Sequence, residues 1–452
     1  MGMTAFVLLL AVEILLAVRT CRRKTQKRIW RRERLAGRAL QAGIVILHIL
    51  LSAGQKWRFI PVLAFLLLLL SAAAISALLG KNKEDGIKKP FSALLSGLFS
   101  CLLLGLFLIP AFVFTGYSGL PVSGSHPVAR ADAILTDSSR QDPFESDGSF
   151  REVPVHFYYP GDGGEEKYPL VVFSHGAFGY YESNTSTYME LASNGYVVAA
   201  LDHPHHAFFT EDTSGGTVIV DTDFLNTALN LNASEMNDEE EYVLYRDWMA
   251  LRTADMGCAL DEIREAALSG SLSSAWSVSE SDRASLMAAL AMADPSRTGL
   301  MGHSMGGATS VELGRQRKDI AAVIDIDGTM LGEYTGTENG KFTVRKEPYP
   351  LPILEFVNWD SYSELQEYPE EAEAYPNTVL MKNAGEGFVT TIRDTKHMDY
   401  TDLPLLSPTL GKMLGSGSRG TEETMTIVNS QVLSFFNCYL KGEGSFTAEE
   451  IY

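Results

Sequence analysis

Four apolar stretches occupy the first 115 residues: Thr4–Val18, Ala39–Gly54, Phe59–Leu79 and Phe91–Thr115. A helix needs about 20 apolar residues to cross roughly 30 Å of hydrocarbon. The third and fourth stretches meet that length, and the second falls a little short. The first is shorter still and carries Glu13, which leaves open whether it spans the membrane or lies at its interface. Its positive charges follow the apolar run, the reverse of a cleaved signal peptide. Residues 1–118 therefore read as a membrane domain of about four helices. A linker rich in Gly, Pro and Ser over Gly116–Val128 follows, and residues 119–150 read as linker and lead-in to a second domain.

Short loops rich in Lys and Arg stay cytoplasmic. The segment Arg19–Arg38 holds ten such residues, and Gly80–Pro90 holds Lys81, Lys83, Lys88 and Lys89. Both are expected inside, with Gln55–Arg58 as a tight outer turn. Everything after about residue 118 is then expected outside the cytoplasm, giving an integral, multi-pass protein. Glu13 and His48 are the only ionisable candidates within the apolar stretches, which favours an anchor over a transport pathway.

Charge separates the same two parts. Of 37 basic and 56 acidic residues, 16 and 4 fall before residue 119, leaving 21 and 52 for the remainder. The second part is strongly acidic and repels nucleic acid, so that class of partner is set aside. Four cysteines are present, with no CxxC spacing. Cys258 and Cys438 read as two thiols in preference to a disulfide.

Residues 151–452 change to strands alternating with helices. Val153–Tyr159 alternates and stops at Pro160, an edge-strand signature. Tyr168–Ser174 and Tyr196–Leu201 are near-continuous apolar runs, the mark of strands buried on both faces. Thr298–Gly302, Ala321–Ile326, Ile353–Val357 and Phe388–Ile392 complete the strand set. Helical patterns cover Thr185–Ser193, Tyr242–Leu268, Met305–Arg317 and Glu422–Leu440. This alternation predicts an α/β fold, a mostly parallel sheet with helices on both faces. Such sheets place ligands at the carboxyl ends of their strands. Thr210–Glu241 is polar, acidic and without a clear period, a candidate lid or insertion.

The chemistry concentrates at Gly302-His303-Ser304-Met305-Gly306, a G-x-S-x-G sequence that follows an apolar strand and opens a helix rich in small residues. That is the setting of a nucleophile elbow, with Ser304 as nucleophile and the partners following in the order acid, then histidine. Of nine histidines only His397 lies downstream, in the polar loop after Phe388–Ile392. It is the candidate general base. The acid is open among Asp327, at the end of an apolar strand, Asp360, after the next strand, and Asp325, inside the first. An oxyanion hole needs two backbone N–H groups. Met305 is the candidate for one. The turn Ser174–Gly179 offers the other, with Ala177 favoured. His175, Phe178, Tyr180 and His203 are candidate pocket residues, although His175 also suits a structural part in its turn. Asp202-His203-Pro204-His205-His206 lacks a spacing that sets three ligands around one ion, so neither a metal nor another cofactor is expected.

Taken together, Val171–Gly176, Leu191–Val198, Gly302–Thr309 and Ile326–Met330 resemble platelet-activating factor acetylhydrolases of the plasma, lipoprotein-associated type and their bacterial relatives. The resemblance runs from about Pro154 to Leu440. It implies an α/β-hydrolase fold and a calcium-independent, lipase-like serine esterase, with short or oxidised acyl chains on phospholipids as a substrate class. It favours Asp327 over Asp360, because the family's acid follows the strand after the elbow helix. His397-Met398-Asp399-Tyr400-Thr401-Asp402 is similar to the family's histidine phrase, and Ala177 matches the family's second oxyanion donor. Gly328-Thr329 stands where the mammalian members carry Ala-Trp. Against this esterase of a small-molecule or lipid ester stand a peptidase or another carboxylester hydrolase on the same fold, and a membrane-tethered sensor or binding module. Oligomeric state is not readable from the sequence.

Overall fold

The computed structural model describes residues 2–22, 25–52, 56–80, 86–164, 166–231 and 236–452. Arg23, Lys24, Gln55, Lys81 and Lys83 of the connections read from the sequence lie outside them. The chain divides into two compact units, Met1–Gly119 with Leu403–Met413, and Leu120–Asp402 with Leu414–Tyr452.

The first unit is helical: α1 (Gly2–Arg22), α2 (Lys27–Leu51), α3 (Ile60–Leu79), α4 (Pro90–Phe107) and the short α5 (Ile109–Val113). Four helices are long and apolar enough to cross a membrane, the first included. Leu68, Leu79, Leu98 and Phe99 all point outward and are exposed, as expected of helices whose surroundings are as apolar as they are. Two expectations are corrected. Arg19–Arg38 is not an open loop, because α1 runs to Arg22 and α2 begins at Lys27. Arg38 therefore lies inside a helix and is buried. It donates to Glu13, to Gln41 Oε1 at 2.6 Å and to Ser100 Oγ at 2.9 Å. Glu13 thus has a partner that the sequence reading placed in a loop. A charge of this kind persists in an apolar setting when it is paired. The two basic connections are neighbours: Lys27 N–H donates to Gly86 O and Lys88 N–H to Thr25 O, both at 2.9 Å. Two short helices, Leu403–Leu406 and Pro408–Met413, also belong here. They are held by Thr115 N–H on Leu406 O at 2.8 Å and by Ser407 Oγ on Val113 O at 2.7 Å.

The second unit is built on a nine-stranded sheet. Its strands are β1 (Val128–Gln141), β2 (Phe150–Pro160), β3 (Tyr168–Ser174), β4 (Val197–Leu201), β5 (Trp276–Ser277), β6 (Ala293–His303), β7 (Ala322–Ile326), β8 (Ile353–Asn358) and β9 (Gly387–Ile392). The order across the sheet is β9-β8-β7-β6-β3-β4-β2-β1-β5. The six strands from β9 to β4 are parallel, while β2 and β1 run antiparallel at one side. Every residue of β3, β4, β7 and β8 is buried, as both-face burial of an apolar run requires. The edge reading of Val153–Tyr159 is overturned. β2 lies inside the sheet, between β4 and a strand in the segment read as linker and lead-in. Pro160 is tolerated because it ends the ladder, opposite Val128.

Helices cover both faces. On one side α8 (Asp238–Ser269) and α9 (Arg283–Met292) pack with α10 (Met305–Gln316). On the other α6 (Thr185–Ser193) and a C-terminal helix, Thr421–Phe436, pack against Tyr158, Phe173 and Phe356. Between α6 and α8 lies α7 (Thr222–Asn230), capped by Asp221. The aperiodic reading of Thr210–Glu241 is corrected accordingly. Phe209–Glu211 pairs with Thr217–Ile219 as a hairpin, α7 follows, and an Asn237–Glu240 capping box starts α8. Three more helices, α11 (Trp359–Glu367), α12 (Pro369–Ala374) and α13 (Pro376–Asn383), join β8 to β9. All four cysteines are free thiols.

Candidate active site

The turn between β6 and α10 holds one residue, Ser304, at φ 56° and ψ −126°. A non-glycine residue at positive φ is strained and persists when its surroundings fix it. Here Ser304 N–H donates to Ile326 O at 2.8 Å, locking the elbow to β7. The glycines are needed for the approach. A Cβ on Gly306 would meet Ser174 O at 1.9 Å, and one on Gly302 would meet Gly306 C at 2.2 Å.

His397 opens the turn after β9, and its Nδ1 lies 2.7 Å from Asp327 Oδ2. Asp327 sits at φ 59° just past β7. Asn358 holds it, with its N–H on Oδ1 at 2.7 Å and its Nδ2 on Oδ1 and Oδ2 at 3.0 and 3.1 Å. Burial pushes the Asp327 carboxyl up, yet the His397 and Asn358 bonds win and hold it below its ordinary value. Burial pulls the His397 imidazole down, and the bond and charge of Asp327 outweigh that, so the net shift is upward. The other acids are elsewhere. Asp360 is exposed and pairs with Lys396 at 3.0 Å. Asp325 is buried and accepts from Gly328 N–H at 3.0 Å. Burial and the neighbouring Glu355 and Asp327 push its carboxyl far up.

Ser304, Asp327 and His397 all border one cavity of about 380 Å³ at the carboxyl ends of β6, β7 and β8. The His397 side chain keeps 44% of its accessibility while Asp327 keeps 4%, so a ligand reaches the first and not the second. Among the described residues nothing hydrogen-bonds Ser304 Oγ. Such bonds commonly tighten only with substrate in place. The His303 ring packs on that of His397, centroids 4.6 Å apart. Burial brings His303 down to about 3, with the neighbouring His397 adding to the effect, so it adds no positive charge at neutral pH.

The candidate oxyanion donors border the elbow. Met305 is the first residue of α10, so its N–H has no partner within the helix. Ala177 N–H takes part in none of the backbone bonds of its turn, whereas Phe178 N–H binds His206 O at 3.0 Å and Gly179 N–H binds Gly176 O at 3.1 Å. A residue the sequence reading missed fixes this turn. Arg252 is fully buried on α8 and donates to His175 O at 2.5 Å, Gly176 O at 3.4 Å and His206 Nδ1 at 3.2 Å. Burial takes its guanidinium down to about 9 against the pull of Asp255. Its signal was a lone arginine amid Met249, Met256 and Ala259, at the spacing of one buried helix face.

None of His175, Phe178, Tyr180 and His203 is among the residues that border this cavity. His175 is buried behind the turn, with Nδ1 2.6 Å from Gly176 O and Nε2 accepting from His203 N–H at 3.1 Å. His203 links Ser174 Oγ at 2.8 Å to Asp255 Oδ2 at 3.0 Å, and burial takes it down to about 4. Phe178, at φ 59°, packs on Phe224, and Tyr180 packs on Phe209. His206 stacks on Phe224 with centroids 3.7 Å apart. The Asp202–His206 segment is thus consumed by buried structural bonds. Asn184 is likewise buried, with its Nδ2 donating to Tyr400 O at 2.8 Å.

Strand order, elbow and loop placement together define an α/β-hydrolase fold. A model of the family described as platelet-activating factor acetylhydrolase, isoform II, matches residues 152–448, more than half of the chain, and the chain belongs to that family. It is similar to platelet-activating factor acetylhydrolase of Bos taurus, 24% identical over 291 residues, 61% of this chain and 58% of that one. The corresponding protein of Gallus gallus is 26% identical over 301 residues, 62% of this chain and 64% of that one. The chain thus spans about three fifths of the length of the curated relatives it matches. Among solved structures, ferulic acid esterase from Streptomyces cinnamoneus is similar in fold. It has a TM-score of 0.52 and 22% identity, over 72% of this chain and 93% of that one.

Proposed function

We propose that this protein is a membrane-anchored serine ester hydrolase that works through an acyl-enzyme formed on Ser304. The observation that carries the reading is the His397–Asp327 hydrogen bond at 2.7 Å, beside a cavity that Ser304 also borders. Ser304 Oγ attacks the ester carbonyl carbon as His397 Nε2 takes its proton. Asp327 holds the imidazole by Nδ1 and stabilises the imidazolium that forms. The carbonyl oxygen becomes an oxyanion facing the N–H groups of Ala177 and Met305. The C–O bond to the alcohol then breaks, and His397 returns its proton to the leaving oxygen. Water repeats the sequence, with His397 again as base, and releases the acid and free Ser304. No step needs a metal or another cofactor.

The four apolar helices support multi-pass anchoring, and the neighbouring basic connections support a cytoplasmic position for both. The hydrolase unit then lies outside the cytoplasm. The family suggests platelet-activating-factor-type esters with short acyl chains as substrates, and an anchor raises the local concentration of any lipid ester.

The test is hydrolysis of p-nitrophenyl esters from acetate to palmitate by the full chain in detergent, beside Ser304→Ala. Burst kinetics on the short esters, lost in the variant, are expected. Turnover that survives in Ser304→Ala would remove the serine mechanism, and a folded wild-type protein inert to the whole series would remove the esterase reading.

A further inference from the structure

Two residues before Asp327, β7 carries a second carboxyl that the proposed mechanism does not use. Asp325 is fully buried, beside Gly302 of β6 and Glu355 of β8. Its carboxyl occupies a niche that two glycines leave. An added Cβ would meet Asp325 Oδ1 at 1.8 Å from Gly307 and at 2.5 Å from Gly328. Gly307 lies in the first turn of α10, and Gly328 follows Asp327. One side chain therefore sits between the elbow helix and the turn that carries the acid. The two also touch directly, since a Cβ on Gly328 would meet Ser304 O at 2.3 Å. Asp325 Oδ2 is buried with no hydrogen-bond partner among the described residues. A half-satisfied carboxyl is costly in such a place, and an apolar side chain would avoid that cost.

What the carboxyl contributes is visible one peptide further on. Asp327 leaves β7 at φ 59°, a conformation that a non-glycine residue keeps when its neighbours fix it. The entry to the turn is fixed by Ser304 N–H on Ile326 O at 2.8 Å and by Asp327 N–H on Phe356 O at 2.9 Å. The peptide after Asp327 is fixed by Asp325, whose Oδ1 accepts Gly328 N–H at 3.0 Å. That bond orients the peptide plane, and with it the direction in which the Asp327 side chain leaves the backbone. We infer that Asp325 is a positioning residue: by accepting Gly328 N–H in the niche beside Gly307, it holds the Asp327 turn against the elbow and keeps Asp327 aimed at His397. The inference rests on the Ser304–His397–Asp327 reading and deepens it. Asp325 touches neither the substrate nor the transferred proton. Burial, with Glu355 and Asp327 adding to it, disfavours its ionised form. The turn thus draws on an acceptor oxygen and not on a negative charge.

The experiment measures Asp325→Asn and Asp325→Ala on p-nitrophenyl acetate, with the full chain in detergent and active sites counted by fluorophosphonate labelling. An asparagine carbonyl accepts Gly328 N–H as the carboxyl does, so Asp325→Asn should keep kcat within about threefold and leave the acid limb of kcat/KM in place. Asp325→Ala removes the acceptor. Misplacing a reacting group costs up to about 100-fold, and kcat per labelled site should fall by about 10–100-fold with KM little changed. The acid limb should move as well. The bond and charge of Asp327 raise His397 against its burial, so a loosened Asp327 lets that pKa fall and carries the limb to lower pH. A plain loss of folded protein moves neither the limb nor the rate per site. Should Asp325→Ala not fold, Asp325→Ser, whose side chain ends one atom short of Oδ1, is read in the same way. A limb unmoved in the alanine or serine variant, or displaced in Asp325→Asn, overturns the assignment. Failure of both shorter variants to fold, beside a normal Asp325→Asn, would give the acceptor to the fold alone and overturns it too. In each of these cases wild-type burst kinetics and labelling of Ser304 leave the esterase reading standing. Absence of both sinks that reading and this inference with it.

Discussion

Asp325 and Asp327 stand two residues apart on one strand end and behave oppositely. The first is sealed in the sheet, where burial pushes its carboxyl far up, and the second is tied to His397, whose bond holds its carboxyl below the ordinary value. The sequence reading favours Asp327 and keeps Asp360 as its main alternative, and the φ of 59° that turns Asp327 out of β7 is not legible in it. Ser304 and His397 were legible, one from its strand–turn–helix setting and the other as the only downstream histidine. Arg252 was not, since its contacts with the turn after β3 cross distant segments. Two tests belong here. A general base acts when neutral, so kcat/KM should rise with pH through the elevated pKa of His397. Asp327→Asn removes what raises that pKa and leaves the burial that lowers it. The acid limb of the pH profile should therefore move to lower pH, while the plateau falls by about 10³–10⁴. A limb that stays in place would contradict the pairing. Arg252→Lys keeps the charge and loses the fork that grips two carbonyls. We expect kcat to fall by about 10–100-fold with KM little changed, since in the proposed mechanism the Ala177 turn faces the oxyanion. Steady-state kinetics with a short p-nitrophenyl ester reads the effect, and circular dichroism with active-site titration separates it from a general loss of folded protein, which would also lower kcat at unchanged KM.

At the level of elements, central strands were easier to read than flanking ones. β3 and β4 are near-continuous apolar runs and β7 is apolar but for Asp325, all three buried throughout, and composition marks them directly. β1 buries Ala131, Ala133 and Leu135 on alternate positions, and two alanines give little apolar signal. With β1 unseen, β2 took on the character of an edge. The start of α2 was hidden for a different reason, because its first turns are basic and read as loop although the helix begins at Lys27. The tightest element is the elbow, where Gly306 passes under Ser174. Gly306→Ala should destabilise by about 3 kcal/mol or more, because the obstructing atoms are backbone and cannot swing aside. Gly415→Ala tests the contrast, since a Cβ there meets nothing within 4 Å and only its φ of 91° opposes the change. Thermal unfolding in the same detergent ranks the two, and equal shifts would remove the packing argument.

Across the whole molecule the two units are joined by a chain of uneven charge, basic before residue 119 and acidic after. The buried Glu13–Arg38 pair shows how the apolar unit accommodates ions. Glu13→Leu alone strands Arg38 and should cost about 3 kcal/mol, whereas Glu13→Leu with Arg38→Met should recover most of that loss. A double-mutant cycle read by thermal unfolding in micelles measures the coupling, and a double variant as unstable as the sum of the singles would deny the pair.

The polypeptide passes between its two units three times, near residues 119, 402 and 413, since Leu403–Met413 is held beside Val113 and Thr115. In evolutionary terms, the border between the two units is not a point in the gene. A single crossover that replaced the first 119 residues would bring a new helical unit and leave behind an eleven-residue segment held by the old one. Lineages that inherit this arrangement are thus constrained to change both pieces together, and the same constraint falls on anyone who exchanges the first unit by design.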